Sequence, residues 1–202
     1  MKLAIGSVTW FGVHSPEMLM RHNLDWRLQT DQRYHLYFLH DGPVEGREDR
    51  VSVEDIDYGA NTSFITYPER RKYWGAYCRK EWLAALDPVD HPFTLFCCGD
   101  DQITPYLVET IFREMDDNTD IVMWNINHHH YNYRSIPGGT WPTLSRCDWV
   151  SGAIRTEIAQ KTGINYPEEF AADGFYWQDC FSQINQDTGR LKILDNFLVV
   201  KN

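Results

Sequence analysis

FTLFCCGDDQITP, residues 93–105, is the stretch on which the fold turns. A mainly apolar run, Phe93 to Cys98, stops at Gly99. Two carboxylates follow, Asp100 and Asp101, then Gln102, Ile103, Thr104 and Pro105. Behind Pro105, the residues Leu107, Val108, Ile111, Phe112 and Met115 recur at helical spacing. A strand buried on both faces needs such a run, and proline suits the first turn of the helix that follows. This order delivers the two acids to the C-terminal edge of a parallel sheet, where α/β proteins bind their ligands. Adjacent carboxylates there suit a hard cation, Mn²⁺ or Mg²⁺, that also takes phosphate oxygens. The plainer reading is a solvated pair of acids in a turn, one of them capping the helix. The strand in front and the helix behind favour the functional reading.

Working outward, strand-like and helix-like patterns alternate. Residues 3–9 and 34–39 read as strands, and the second runs into a turn at His40, Asp41, Gly42 and Pro43. Ser15 and Pro16 open a helix in which Met20, Leu24 and Leu28 recur. Residues 45–60 are polar and acidic, as in a surface loop, and 63–67 form a short strand. Pro68 is expected to open a second helix, with Trp74, Cys78, Trp82 and Ala85 along one face. Residues 120–126 make another strand. Residues 127–148 lack a helical period and read as a hairpin or loop over the sheet edge. Then come a strand at 149–154, a short helix at 156–162 stopped by Gly163, a helix capped by Asp173 that aligns Trp177, Phe181 and Ile184, and a closing strand at 191–200. This alternation predicts an α/β fold, a mostly parallel central sheet flanked by helices. Nothing marks an internal boundary, so residues 1–202 are expected to form a single domain.

The bulk properties agree with a globular rather than a disordered chain. Hydrophobic residues make up 43% and charged residues 24% of 202 residues. The net charge of −10 argues against nucleic-acid binding over the whole surface, although Arg70, Arg71, Lys72, Arg79 and Lys80 form a local basic segment. Five cysteines without a CxxC pair point to reduced, buried thiols rather than disulfides or structural zinc. MKLAIGSVTW turns polar too soon for a secretory signal, and no apolar run approaches a membrane span. No membrane association is expected, and the expected location is cytoplasmic, the host cytoplasm if the source is viral.

The layout and the GDDQITP motif resemble glycosyltransferases of the GT-A fold, the family-2 type in particular. The resemblance covers nearly the whole chain as an order of elements and rests on few, short motifs. It implies a single Rossmann-like GT-A domain with a small acceptor-side hairpin or loop region. It implies transfer of a sugar from a nucleoside-diphosphate sugar such as a UDP-sugar, inverting and assisted by manganese or magnesium. Carried over residue by residue, Thr9, Trp10 and Asp41 would hold the nucleobase and ribose. Arg71, Lys72 and Arg79 would approach the base or diphosphate, unless they form only an exposed basic helix face. Asp100, with Asp101, would bind the metal and donor. The chain departs from the family's Asp-x-Asp pattern by placing Cys98 where the earlier acid would be.

DGFYWQD, residues 173–179, is a second acidic stretch. The resemblance puts the general base of an inverting enzyme on Asp173 or Asp179. Asp173 is preferred, since an acid at a helix mouth can face a cleft. Relatives often finish the metal site with a histidine on a late strand. Lys201 stands at the equivalent position here, either neutralising the diphosphate or frayed in water. Three neighbouring histidines, His128, His129 and His130, point to alternate faces of an extended segment and do not suit one ion. Tyr131, Tyr133 and Trp141 could stack on an acceptor. The acceptor is expected to be a saccharide or, as in some phage enzymes of this general type, a hydroxymethylated nucleic-acid base. Two rivals stand beside this reading. One is a nucleotidyltransferase for sugar phosphates, disfavoured because SVTWFG lacks a glycine-rich basic loop. The other is a non-catalytic nucleotide-sugar-binding protein, to which Cys98 and Lys201 would be the pointers.

Overall fold

The structure, a computed structural model, describes residues 1–10, 14–42, 58–128, 134–136, 147–184 and 190–201, with residues 134–136 as backbone only. Its strands are β1 (Leu3–Thr9), β2 (Tyr34–His40), β3 (Thr62–Thr66), β4 (Phe93–Cys98), β5 (Gln102–Ile103), β6 (Ile121–His128), β7 (Arg134–Ile136), β8 (Gly152–Arg155) and β9 (Leu191–Lys201). Its α-helices are α1 (Pro16–Arg27), α2 (Ala76–Ala85), α3 (Leu107–Glu114), α4 (Thr156–Thr162) and α5 (Ala172–Gln183).

One sheet runs in the order β3-β2-β1-β4-β8-β6-β9-β5, with β7 beside β6. Pairings β1–β2, β2–β3, β1–β4 and β6–β9 are parallel. The short β8 is antiparallel to both β4 and β6, so those two point the same way. Six strands therefore share one direction, and only the short β5, β7 and β8 oppose it. All seven residues of β1 are buried, as a strand covered on both faces requires. Ala4 and Val8 pack with Trp82 of α2, Ala159 of α4 and Tyr176 and Trp177 of α5. Leu3 and Ile5 pack on the other face with Leu19 and Trp26 of α1 and Val108 and Ile111 of α3. The alternation along one strand thus divides the core into two layers.

The far end of the sheet is pinned electrostatically. Asp120, 1% exposed, receives the guanidinium groups of both Arg155 and Arg190. The Asp120→Ala protein, which leaves both arginines without their shared acceptor, is expected to lose about 3–5 kcal/mol of stability. Urea denaturation measures this directly.

Several elements depart from the sequence reading. Ser15 caps α1 as expected, its hydroxyl accepting from Met18 N at 3.3 Å. However, the buried face of α1 is Leu19, His22, Asn23 and Trp26, whereas Met20 and Leu24 are exposed, as is Leu28 just past the helix end. Periodicity found the helix and the wrong side of it, because His22 and Asn23 are buried polar residues with roles described below. The second helix begins at Ala76, not after Pro68. Lys72, Tyr73 and Trp74 have φ of 61°, 51° and 51°, and Gly75 follows at 74°. Such backbone is costly for residues with a Cβ and blocks a right-handed helix there. Trp74 is consequently 66% exposed instead of sharing the buried face of Cys78 and Trp82. The expected strand at 149–154 is a 3₁₀ turn, Trp149–Ser151, leading into β8. Asp173 is not the cap of α5 but lies within its first turn, after Ala172. β6 and β7 form the hairpin expected after residue 126. His129, His130, Tyr131, Tyr133 and Trp141 lie outside the described residues, as do residues 45–57 of the acidic segment 45–60. All five cysteines are free, four of them buried and Cys98 partly exposed. Among the described residues no helix is long and apolar enough to cross a membrane.

Candidate active site

The C-terminal ends of β1, β2 and β4 meet at one edge, and backbone bonds tie them together. Asp41 N donates to Thr9 O at 2.8 Å, and Gly99 N donates to Val8 O at 3.0 Å. Gly99 is required here, since a Cβ would lie 2.7 Å from Leu19 Cδ2 and 2.9 Å from Thr9 Cγ2. The Thr9 hydroxyl is buried and lies 3.1 Å from His40 Nδ1. The Asp41 carboxylate is buried and turned inward: it accepts from Arg71 N at 2.5 Å and from Cys78 Sγ at 3.5 Å. Burial raises its pKa against the opposing effect of these bonds and of the Arg70 charge. Asp41 thus acts as a brace under the backbone that leads into the left-handed turn.

Asp100 and Asp101 have unlike surroundings. Asp100 stands at the β1 side of the edge, its Oδ1 3.6 Å from His14 Nε2, while His14 Nδ1 accepts from Trp10 N at 3.0 Å. Burial opposes ionisation of Asp100, but the His14 hydrogen bond and charge together with Lys201 outweigh it and hold its pKa below the usual carboxylate value. Asp101 is 1% exposed and turned back on its own strand, its Oδ2 accepting from Cys98 N at 2.8 Å. Its backbone carbonyl is held by His22 Nδ1 at 2.6 Å. Since a carbonyl only accepts, His22 carries its proton on Nδ1, and Nε2 accepts from Trp26 Nε1 at 3.0 Å. Burial lowers the pKa of His22 to about 4, which keeps this tautomer neutral.

Burial, opposed mainly by Lys201, pushes the pKa of Asp101 up to about 7. The sign of the linkage follows. Between the ordinary carboxylate value and about 7 the folded state holds a proton that the unfolded chain has lost, so Asp101 costs stability increasingly as pH rises through that window. In Asp101→Asn the amide oxygen still accepts from Cys98 N and no charge is buried. The variant is expected to gain thermal stability over the native protein as pH rises from 4 to 8, with little difference at pH 4. Melting curves across that range test it.

A second group of residues completes the edge. Lys201 Nζ lies 2.8 Å from Asp148 Oδ1 and 2.7 Å from Asp148 Oδ2. Burial disfavours the ammonium, but Asp148, Cys98 and Asp101 raise its pKa well above normal, so it is charged. Lys201 is therefore not a frayed terminal lysine in water, as one sequence reading had it. It is the end of β9, paired with His128 of β6. Asp148 is fixed in turn: its N–H donates to Ser151 Oγ at 2.7 Å and its carbonyl accepts from Trp177 Nε1 at 2.8 Å. Asp173 Oδ1 accepts from Gly174 N at 2.8 Å. Burial first, then the Asp148 charge, raises the Asp173 pKa to about 6, while Lys201 and Arg79 pull it down. Asp173, Asp148, Lys201 and Arg79 thus belong to one electrostatic cluster.

The basic candidates divide. Arg79 is fully buried: it donates to Trp74 O at 2.8 Å, to Cys97 O at 2.9 Å and to Cys98 Sγ at 3.1 Å, with its guanidinium 4.8 Å from the Trp149 ring. It is a clamp beneath the site, not part of an exposed basic helix face. Arg71 is on the rim, 3.5 Å from Glu81. The Arg70 guanidinium stacks 3.4 Å over the Trp10 ring, which places a cation at the β1 end. Asp179 is apart from the cluster. It lies six residues along α5 from Asp173, and its Oδ2 accepts from Asn165 at 3.0 Å.

The expected metal ligands do not converge. Asp101 is committed to Cys98 N and Asp100 faces His14, and among the described residues no three His, Cys, Asp or Glu side chains form a group able to hold a metal ion. The described residues do not form a protein-built divalent site. The sequence reading missed Asp148, His14 and His22. Asp148 carries the D-x-x-S signature of a cap, which it is, but nothing local signals its pairing with Lys201.

No family model and no curated protein sequence matches the chain. Solved structures do. The structure of S. aureus TarS is matched over 100% of this chain and 37% of that one, at 15% identity and a TM-score of 0.73. TarS 1-349 in complex with UDP is matched over 99% of this chain and 60% of that one, at 15% identity and 0.76. This chain has the GT-A fold. TarS 1-349 in complex with UDP-GlcNAc gives the same likeness, at 14% identity and 0.73 over 99% of this chain and 58% of that one. The chain spans less than two thirds of the length of these structures. The GT-A edge formed by β1, β2 and β4 carries Thr9, Trp10, Asp41 and Asp100, four of the residues singled out from the sequence.

Proposed function

We propose that this chain is a nucleotide-sugar glycosyltransferase that moves a sugar from a nucleoside-diphosphate sugar to an acceptor hydroxyl by direct, inverting displacement. The observation that carries the reading is the grouping of Asp173 of α5 and Arg79 of α2 with Lys201 of β9, beside a sheet whose β1, β2 and β4 ends hold Thr9, Asp41 and Asp100.

Asp173 is the general base that takes the proton from the acceptor hydroxyl. Its burial beside Asp148 moves its pKa toward the operating pH, which improves proton transfer while leaving it ionised at neutrality. Thr9, Trp10 and the backbone braced by Asp41 form the wall for the nucleobase and ribose. Arg70 and Arg71 add positive charge at the rim. Asp100, ionised and oriented by His14, stands at the donor end. Fixed charges and donors of this kind act by positioning and by stabilising charge that develops on the leaving group. Two GT-A neighbours were solved with UDP and UDP-GlcNAc, which makes UDP-sugars the first donors to try. The acceptor class in this reading is a saccharide or a hydroxymethylated nucleic-acid base.

The test is a thermal-shift screen of nucleotide sugars and nucleoside diphosphates, followed by mass spectrometry of candidate acceptors incubated with the donor that binds. A shift with a nucleotide sugar and an acceptor heavier by one sugar are expected. Binding without any transfer would reduce the chain to a donor-binding protein. Pyrophosphate release from a nucleoside triphosphate and a sugar phosphate would make it a nucleotidyltransferase.

A further inference from the structure

The disagreement between the acidic motif and its surroundings has a chemical resolution in Lys201. We infer that the Lys201 ammonium, oriented by Asp148, is the resident cation of the diphosphate subsite, so that a nucleoside diphosphate binds here without a divalent ion. The inference rests on reading the site as one for a nucleotide sugar.

The sheet register places the group. Gln102 pairs with Val200 and Ile103 with Val199, antiparallel. One step further along the same ladder sets Lys201 beside Asp101, at the end of the GDD stretch. The ammonium is held rather than mobile: both Asp148 oxygens lie within 2.8 Å of it, and Asp148 is itself fixed by Ser151 and Trp177. An ammonium has three N–H donors, and the two Asp148 oxygens account for two of them. Among the described residues the third has no acceptor, and the Lys201 side chain keeps 16% of its surface exposed to receive a ligand oxygen. A charge fixed in this way needs no reorganisation when a diphosphate arrives.

The same charge disfavours a metal. A divalent ion on Asp100 and Asp101 would lie close to an ammonium that Asp148 prevents from withdrawing, and like charges repel strongly at short range in a partly buried site. The two acids, meanwhile, are turned to different partners, Cys98 N and His14. Arg70, stacked on Trp10 at the same edge, adds to the positive charge available to an anion.

The test is calorimetric titration of the 202-residue chain with UDP and, as a probe without a base, inorganic pyrophosphate, first with EDTA and then with Mn²⁺. Native affinity for UDP is expected to be the same in both buffers. Lys201→Met is expected to weaken it by about tenfold to a hundredfold, the range for losing a charged hydrogen bond. If that variant melts early because Asp148 is left unpaired, the Asp148→Asn/Lys201→Met double variant carries the same measurement. Lys201→His replaces the cation by a metal ligand. It is expected to quench the free Mn²⁺ resonance signal and to regain UDP affinity with Mn²⁺, whereas Lys201→Met regains none. A merely structural lysine would not produce that difference. Native UDP binding that strengthens tenfold or more with Mn²⁺, or full affinity in Lys201→Met, overturns the role of Lys201 and leaves the transferase reading standing. Absence of binding by UDP, other nucleoside diphosphates and pyrophosphate in both buffers overturns both.

Discussion

Asp173→Asn is expected to slow sugar transfer by about two to four orders of magnitude, the usual worth of a positioned general base. The substitution is mild structurally, because the amide oxygen still accepts from Gly174 N, the contact that Oδ1 makes at 2.8 Å in the native protein. Donor binding should be unaffected, so the loss falls in kcat. The pH dependence gives a second reading of the same role. With the Asp173 pKa at about 6, the base is protonated at lower pH, and native transfer should fall as pH drops through about 6. In the variant the residual rate should lose that acid limb. Asp179→Asn, whose carboxylate faces Asn165 on the outer part of α5, should transfer at close to the native rate. A native rate in Asp173→Asn, or a large loss in Asp179→Asn, would move the base elsewhere.

Arg79→Ala is expected to cost about 3–5 kcal/mol of folding stability, the largest such loss among residues lining this edge. Its guanidinium is fully buried, and its removal strips the donor from the carbonyls of Trp74 and Cys97. Each orphaned carbonyl costs about 1–3 kcal/mol, and the cavity left beside Trp149 adds to that. The effect should spread to the left-handed turn, since Arg79 holds the carbonyl of Trp74, whose φ is 51°. Denaturation in urea, with near-UV circular dichroism for the tryptophans, measures both. A loss under 1 kcal/mol would mean that neighbouring residues or water satisfy the carbonyls readily.

Most of the layered architecture could be read from residue patterns. The run Phe93 to Cys98 is an inner strand, paired along its length with β1 and over its first half with β8, because it can be buried on both faces, and β1 is legible for the same reason. Met20, Leu24 and Leu28 show the limit of such reading. Polar residues that find partners inside, as His22 does with Asp101 O and Trp26, bury as well as leucines, and only the tertiary contact reveals it. The start of α2 was illegible for a related reason. Nothing in RKYWG forbids a right-handed helix, and the left-handed backbone is imposed by Asp41, 30 residues earlier, and by Arg79. Gly75 was the one visible hint, with a φ of 74° and no room for a Cβ 2.2 Å from Val8 Cγ1. At the site, residues on strand ends such as Thr9, Asp41 and Asp100 were placed by pattern. The pairing of Asp148 with Lys201 spans 53 positions and depends on strand order, which no local window contains.

β9 has a temporal consequence. Thr9, Asp41 and Asp100 are made before Asp148 and Asp173, but the ammonium that counters Asp148 is supplied only when residue 201 has been made and its strand has docked against β6. Until that moment Asp148 has no counter-ion from Lys201. On the reading proposed above, competence to engage a diphosphate therefore follows the docking of a single strand.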